Sequence, residues 1–335
     1  MRSRLILPLL AVATLATLFS TGTRAADKPP LRIGWVYAMA NAPAIIADKK
    51  GFYAAEGLKV EVKSFGDGPI VQQALAAGEL DIAYIGAPPV YQWFSRGLDS
   101  RIIAKVNYGQ AAVIADRSEG VKTVADLKGK KLAGVAKGSG MDVLLRGFVL
   151  KEIGGLDPEK DLDIVSMPPA NMAVALQNQQ VDAIFTWEPF ASESLLSGRG
   201  RLVLDVNQKL PNYPWYVIMA PTKTLKERPD DTVKVLRAHI RAIEFLQKNP
   251  DEANRIIADA FQIAQIRNGN KVIEPVAVVQ EARKRLGWAY KLEAQDQQFI
   301  QRLMDYSLSL GFMSKPLKVE QVVDTSWLQR AEQGR

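Results

Sequence analysis

One internal correspondence limits the folds open to this chain more than any other feature. Leu75, Asp81 and Pro88 recur as Leu176, Asp182 and Pro189, each displaced by 101 residues. In the first copy Gly66 and Gly68 make a turn, and Pro69 suits the first position of a helix. Val71, Leu75 and Ala76 give that helix an apolar face and Gly78 ends it. A strand is predicted over residues 80–85, running into Gly86-Ala87-Pro88-Pro89, which cannot continue a ladder and must turn. In the second copy Pro169-Ala170-Asn171 replaces Gly68-Pro69-Ile70, and Trp187-Glu188-Pro189 replaces Gly86-Ala87-Pro88. Further upstream, residues 31–36 lead to Asn41-Ala42-Pro43 and a helix, as residues 131–136 lead to Gly138-Ser139-Gly140 and a helix. Two α/β lobes of similar plan are expected, with loops gathered at corresponding strand ends, where open α/β sheets bind ligands.

At 335 residues the chain has room for two such lobes. Residues 1–25 stand apart: Arg2 and Arg4, an apolar run over 5–19, then Thr23-Arg24-Ala25. This reads as a secretory signal peptide cleaved after Ala25, since an apolar run of this length falls short of the roughly 20 residues that span a bilayer. Its loss removes three arginines and no acid from a net charge of +7, leaving +4. No run of Lys and Arg interleaved with aromatics marks a nucleic-acid surface.

The chain has no cysteine and one histidine, His239. Disulfides, thiolate metal sites and a cysteine nucleophile are thereby excluded, and no metal or cofactor is expected. His239 lies among Val233, Leu236, Ile240, Ile243 and Leu246 at helical spacing, which predicts a packing or helix-surface role. A Ser-His-Asp triad would have to use this one residue. The expected layout is a first lobe over 26–115, a second over 116–214, and a return to the first lobe with C-terminal helices over 215–335.

In order along the chain stand L-R-I-G-W, N-A-P, K-G-F-Y-A-A-E-G-L-K-V-E, A-L-A-A-G-E-L-D-I-A, D-L-K-G-K-K-L, A-K-G-S-G, P-P-A and W-E-P-F. This series resembles the landmarks of periplasmic solute-binding proteins of ABC importers, in the group for nitrate, taurine and aliphatic sulfonates that also contains thiamine-pyrimidine precursor binders. The resemblance covers about residues 31–250. It implies a type II periplasmic-binding-protein fold, two α/β lobes with the ligand in the cleft between them, and an ABC permease with its cytoplasmic ATPase as partners.

The cleft residues expected on this basis are Tyr37, Asn41, Gly66, Asp67, Gly68, Gly86, Ala87, Tyr108, Gly138, Ser139, Gly140, Asn171, Trp187 and Glu188. Gly66 to Gly68 and Gly138 to Gly140 each open a helix, offering backbone N–H groups at a positive dipole end to an anion's oxygens. Asn41 serves either as an N-cap or as a ligand donor, and Trp187 either walls the ligand or packs in its lobe. Tyr37, Tyr108, Tyr213 and Trp215 are further aromatic candidates for the cleft. Asp67 is either a solvated turn aspartate or a partner for a ligand ammonium group. Ala87 departs from the T-G-D-A-P pattern of the resembled group, in which an acid follows the glycine, and Glu188 is the candidate to replace that acid from the opposite lobe.

The expected function is capture of a small organic anion, foremost an aliphatic or aromatic sulfonate, by a monomeric periplasmic protein without catalysis. Taurine, nitrate or a thiamine-pyrimidine precursor are alternative ligands. Two alternatives of other classes are an exported enzyme using Asp67 and Glu188 as a carboxylate pair, and an exported ligand sensor. The related thiamine-pyrimidine synthases need a site histidine and a cysteine-rich segment, which this chain does not offer.

Overall fold

The structure is a computed structural model and describes residues 28–334; the expected signal peptide lies outside the described residues. Along the chain the strands are β1 (Leu31–Val36), β2 (Val60–Phe65), β3 (Ile82–Gly86), β4 (Ser100–Lys105), β5 (Asn107–Gly109), β6 (Ala112–Asp116) and β7 (Lys131–Gly134). They continue as β8 (Asp163–Ser166), β9 (Ala183–Thr186), β10 (Gly200–Asp205), β11 (Tyr216–Pro221), β12 (Ile266–Asn268), β13 (Lys271–Ile273) and β14 (Leu286–Trp288).

The internal correspondence is a repeat of topology. One five-stranded sheet has the order β2-β1-β3-β11-β4 and the other β8-β7-β9-β6-β10. In the first, β1 pairs parallel with β2 and β3, and β11 lies antiparallel between β3 and β4. In the second, β7 pairs parallel with β8 and β9, and β6 lies antiparallel between β9 and β10. The antiparallel strand of each sheet is a crossing segment between lobes. The central strands β3 and β9 are buried throughout and read as near-continuous apolar runs, whereas the edge strands β2 and β8 are partly exposed.

The recurring aspartates have a structural task in both lobes. Asp81 accepts the Arg32 N–H at 2.8 Å through Oδ2 while its own N–H donates to the Arg32 carbonyl at 2.8 Å. Asp182 does the same with Lys131, at 2.7 and 2.9 Å. Each aspartate thus fastens the start of the third strand of its repeat to the start of the first.

One boundary differs from expectation. The first lobe was to extend through residue 115, but Ala112–Asp116 pairs with β9 and β10 and belongs to the second sheet. The crossing falls at Gly109-Gln110-Ala111, where Gly109 (φ +74°) lets the chain pass within van der Waals reach of the Arg285 carbonyl; a Cβ there would lie 2.2 Å from that oxygen.

After β11 the chain is mainly helical. The long helix Pro229–Lys248 packs on helix Ala42–Lys49 of the first lobe, with Val235, Leu236, Ile240 and Ile243 buried. His239 is fully buried within it, and its Nε2 lies 2.9 Å from the Lys105 carbonyl. Because a carbonyl only accepts, Nε2 carries the proton. Helix Ala294–Ser309 crosses to the second lobe, where its Tyr306 ring covers Gly147 and where Arg302 and Tyr306 both bond Glu152. Among the described residues no helix is long and apolar enough to cross a membrane.

Candidate functional site

A cavity of about 390 Å³ lies between the two sheets. It is lined at the C-terminal ends of all six parallel-paired strands: Val36 after β1, Gly66-Asp67-Gly68 after β2, and Gly86 with Pro89 after β3 on one side. Opposite are Val135, Ala136, Ser139, Gly140 and Met141 after β7, Ser166 to Pro169 after β8, and Trp187 after β9. Trp215 and Tyr216, where β11 re-enters the first sheet, close the floor between the lobes. This is the crevice at strand ends where α/β sheets expose backbone groups without ladder partners.

The cavity is itself built twice. Moving Gly66, Asp67 and Gly68 by the repeat distance lands on Met167, Pro168 and Pro169, and moving Gly86 lands on Trp187; all eight line the cavity. Met167, Pro168 and Pro169, absent from the expected set, were therefore reachable by applying the repeat to the first glycine loop. Met141 and Tyr216 carried no comparable signal.

Of the expected residues, Gly66, Asp67, Gly68, Gly86, Ser139, Gly140 and Trp187 line this cavity, joined by the candidate aromatic Trp215. The others lie elsewhere. Tyr37 stacks on Trp35 and packs at a tilt against Phe261, and its hydroxyl donates to the Phe261 carbonyl at 2.7 Å. Asn41 is fully buried and donates from Nδ2 to the Val36 carbonyl at 2.8 Å, so it fixes the end of β1 behind the cavity. Tyr108 lies over Gly287 of β14. Tyr213 is buried, and its hydroxyl accepts the Ala111 N–H. Asn171 is exposed on helix Pro169–Gln177. Ala87 begins helix Ala87–Ser95 and donates its N–H to the Trp215 carbonyl.

Two corrections change the chemistry. The Gly138 N–H, expected to face an anion, donates to Asp142 Oδ2 at 2.8 Å, and the Phe312 ring lies against this glycine. Asp142 also accepts Arg146 Nε at 2.6 Å, and this buried network holds the loop from behind. Burial pushes the Asp142 carboxyl up against the opposing pull of Gly138 and Arg146. Glu188, expected in the cleft, is fully buried away from it: Oε1 accepts Arg285 Nε at 2.5 Å and Oε2 accepts the Ser192 N–H at 3.0 Å. A carboxylate pair of Asp67 and Glu188 is not assembled.

Prolines thin the backbone donors. Pro69, Pro88, Pro89, Pro168 and Pro169 have no N–H, the Ile70 N–H is taken by Asp67 at 3.0 Å, and the Asp142 N–H by Ser139 Oγ at 3.4 Å. What is left is chiefly Gly68 in one lobe and Gly140 with Met141 in the other, the opening residues of helices whose first N–H groups precede any intrahelical bond. Helix Gly140–Val143 winds on as a π-helix over Leu144–Ile153. Trp187 belongs to the cavity lining and is buried, with its Nε1 unpartnered. Burial pushes the Tyr216 phenol up, and the Asp67 charge adds to this, so its hydroxyl keeps its proton. Among the described residues no Lys, Arg or His lines the cavity, and no cluster of His, Cys, Asp and Glu could hold a metal ion.

Two lobes closing a mostly apolar, ligand-sized cavity furnished with backbone donors define a solute-binding protein of the periplasmic-binding-protein fold. The chain belongs to the NMT1-like family, whose model matches residues 24–262. A provisionally named binding protein of Brucella abortus is 31% identical over 255 residues, 75% of this chain and 77% of its own length. A Bacillus subtilis protein provisionally named as an aliphatic sulfonates-binding protein is 28% identical over 295 residues, covering 86% of this chain and 84% of its own. Among solved structures, the alkanesulfonate-binding protein SsuA of Xanthomonas axonopodis pv. citri superposes with a TM-score of 0.75 at 24% identity, over 90% of this chain and 99% of that one. That likeness is one of fold.

Proposed function

We propose that this protein is the periplasmic binding component of an ABC importer that captures a small organic acid with an apolar body, foremost a sulfonate, and delivers it to a membrane permease. The observation that carries this reading is the combination at one cavity of Gly68, Gly140 and Met141 N–H groups with walls of Trp187, Trp215, Met141 and Met167. Helix-terminal N–H groups suit the oxygens of a sulfonate or carboxylate, and the aromatic walls suit an alkyl or aryl group. A volume of about 390 Å³ exceeds what nitrate needs and lies within the ordinary range of organic-ligand pockets. The names of the relatives, an aliphatic sulfonates-binding and an alkanesulfonate-binding protein among them, point in the same direction.

Capture is coupled to closure. Pro88 and Trp215 stand against Gly140, and Gln92 Nε2 donates to the Gly138 carbonyl at 3.1 Å, so the two lobes meet around the cavity. A ligand that bonds both lobes favours the closed form by its differential affinity, and the closed form is what a permease reads. Hydrolysis by a carboxylate pair has no support here, since Glu188 is committed to Arg285.

Calorimetric titration of the mature protein with an alkanesulfonate, an arylsulfonate, taurine, nitrate and a hydroxymethylpyrimidine tests the reading. Saturable one-to-one binding of a sulfonate, with nitrate silent, is the expected result. Binding of the pyrimidine with no sulfonate bound would overturn it.

A further inference from the structure

The charge pattern of the cavity narrows the solute further, resting on the reading above. A site for a simple anion has no use for an unpaired carboxylate, yet Asp67 lines the cavity and no Lys, Arg or His does so among the described residues. Its Oδ1 caps the Ile70 N–H, and Oδ2 has no hydrogen-bond or ion-pair partner among the described residues. Capping alone does not account for an acid at this position, because Asn, Ser or Thr cap a helix as well without a charge.

The opposite lobe brings no carboxylate to the cavity. The repeat counterpart of Asp67 is Pro168, which has no charge, and the nearby Asp142 is turned to Arg146 and Gly138. What that lobe offers are donors, the Gly140 and Met141 N–H groups at a helix start and the Ser139 hydroxyl, with Trp187 beside them in the lining. The first-lobe end thus pairs the Asp67 carboxylate with the neighbouring Gly68 N–H, the second-lobe end offers no carboxylate, and Trp215 and Met167 complete the lining.

We infer that Asp67 is the specificity-determining residue of this cleft and holds a protonated amine, so that the solute is a zwitterion with an ammonium group and an acidic group on an apolar body. The ammonium group lies against the first lobe at Asp67 Oδ2. The acid lies against the second, among the donors at Ser139, Gly140 and Met141.

Matched probes differing only in the amine test this: 4-(aminomethyl)benzenesulfonate against 4-methylbenzenesulfonate, with 4-methylbenzylamine as the amine lacking an acid. Each is titrated calorimetrically into the mature full-length protein and into Asp67→Asn, whose side chain still caps the helix, with circular dichroism to show that the variant is folded. The expected result is that the wild type binds the aminomethyl sulfonate at least tenfold more tightly than the methyl sulfonate. In Asp67→Asn that preference falls at least tenfold, and the methyl sulfonate binds as well as before or better. Equal or tighter binding of the methyl sulfonate by the wild type overturns the role of Asp67 while leaving the organic-acid reading in place, as does a preference unchanged in Asp67→Asn. Binding of the benzylamine as tight as that of the aminomethyl sulfonate leaves the role of Asp67 standing and overturns the organic-acid reading. Binding of none of the three overturns both.

Discussion

His239 shows what becomes of the chain's one histidine when tertiary packing takes hold of it. Burial lowers its pKa from the ordinary 6.5 to about 4, although the bond to the Lys105 carbonyl pulls the other way. As pH falls below about 6.5 the unfolded chain takes up a proton that the folded protein refuses until about pH 4. Stability therefore declines with acidification across that window, by about 3 kcal/mol from this residue alone. Replacing it by glutamine, whose amide can still donate to the Lys105 carbonyl, should remove this contribution. Urea unfolding at pH 7 and pH 4 should show His239→Gln losing about 3 kcal/mol less than the wild type over the interval. Equal losses would mean that the ring is already charged in the folded state. The sequence pattern predicted packing for this residue. It could not supply the Lys105 carbonyl, 134 residues away, which decides the tautomer.

The helix opening at Gly140 is the element on which closure depends. A Cβ built there would lie 3.2 Å from Pro88 Cγ and 3.3 Å from Trp215 Cζ2, both on the other side of the cleft. Alanine would ask these neighbours to give by tenths of an ångström; valine adds two methyl groups that the closed form has no room for. Gly140→Val should therefore weaken binding of the best ligand from the titration panel at least tenfold. The unfolding free energy should change by less than about 1 kcal/mol, since the added methyl groups are free of these contacts once the lobes part. An affinity loss matched by an equal loss of stability would show that the glycine serves the fold instead. At this scale the sequence was informative about glycine loops and poor at ranking them. Gly138 and Gly140 look alike in K-G-S-G, yet the Asp142 carboxylate takes the N–H of the first and not of the second.

Across the whole molecule, the C-terminal region grips the second lobe as well as the first. Arg285 reaches Glu188 at 2.5 Å and Ser192 Oγ at 2.8 Å, and β14 immediately after it pairs with β5 at the crossing. Burial works against the Arg285 charge, but Glu188 and Glu281 outweigh it and hold the guanidinium protonated. Arg285→Met should destabilise the protein by about 3 to 5 kcal/mol in chemical unfolding, because it strands the fully buried Glu188 carboxylate. Adding Glu188→Gln to that variant should restore part of the loss, as the stranded charge is gone. No recovery in the double variant would assign the loss to packing of the arginine stem.

The sequence by itself determined the two-lobed plan, the repeat, and the glycine loops at strand ends. These follow from local chemistry: apolar runs that need covering, and prolines and glycines that set backbone angles. Tertiary structure alone decided which polar side chains serve the cavity. Glu188 is drawn off by an arginine 97 residues away, Tyr37 by a carbonyl 224 residues away, and Asp67 stays in the cavity lining with no cation folded back onto it among the described residues. A buried charge or donor takes whatever partner the packed fold brings to it, and the sequence does not state that distance in space.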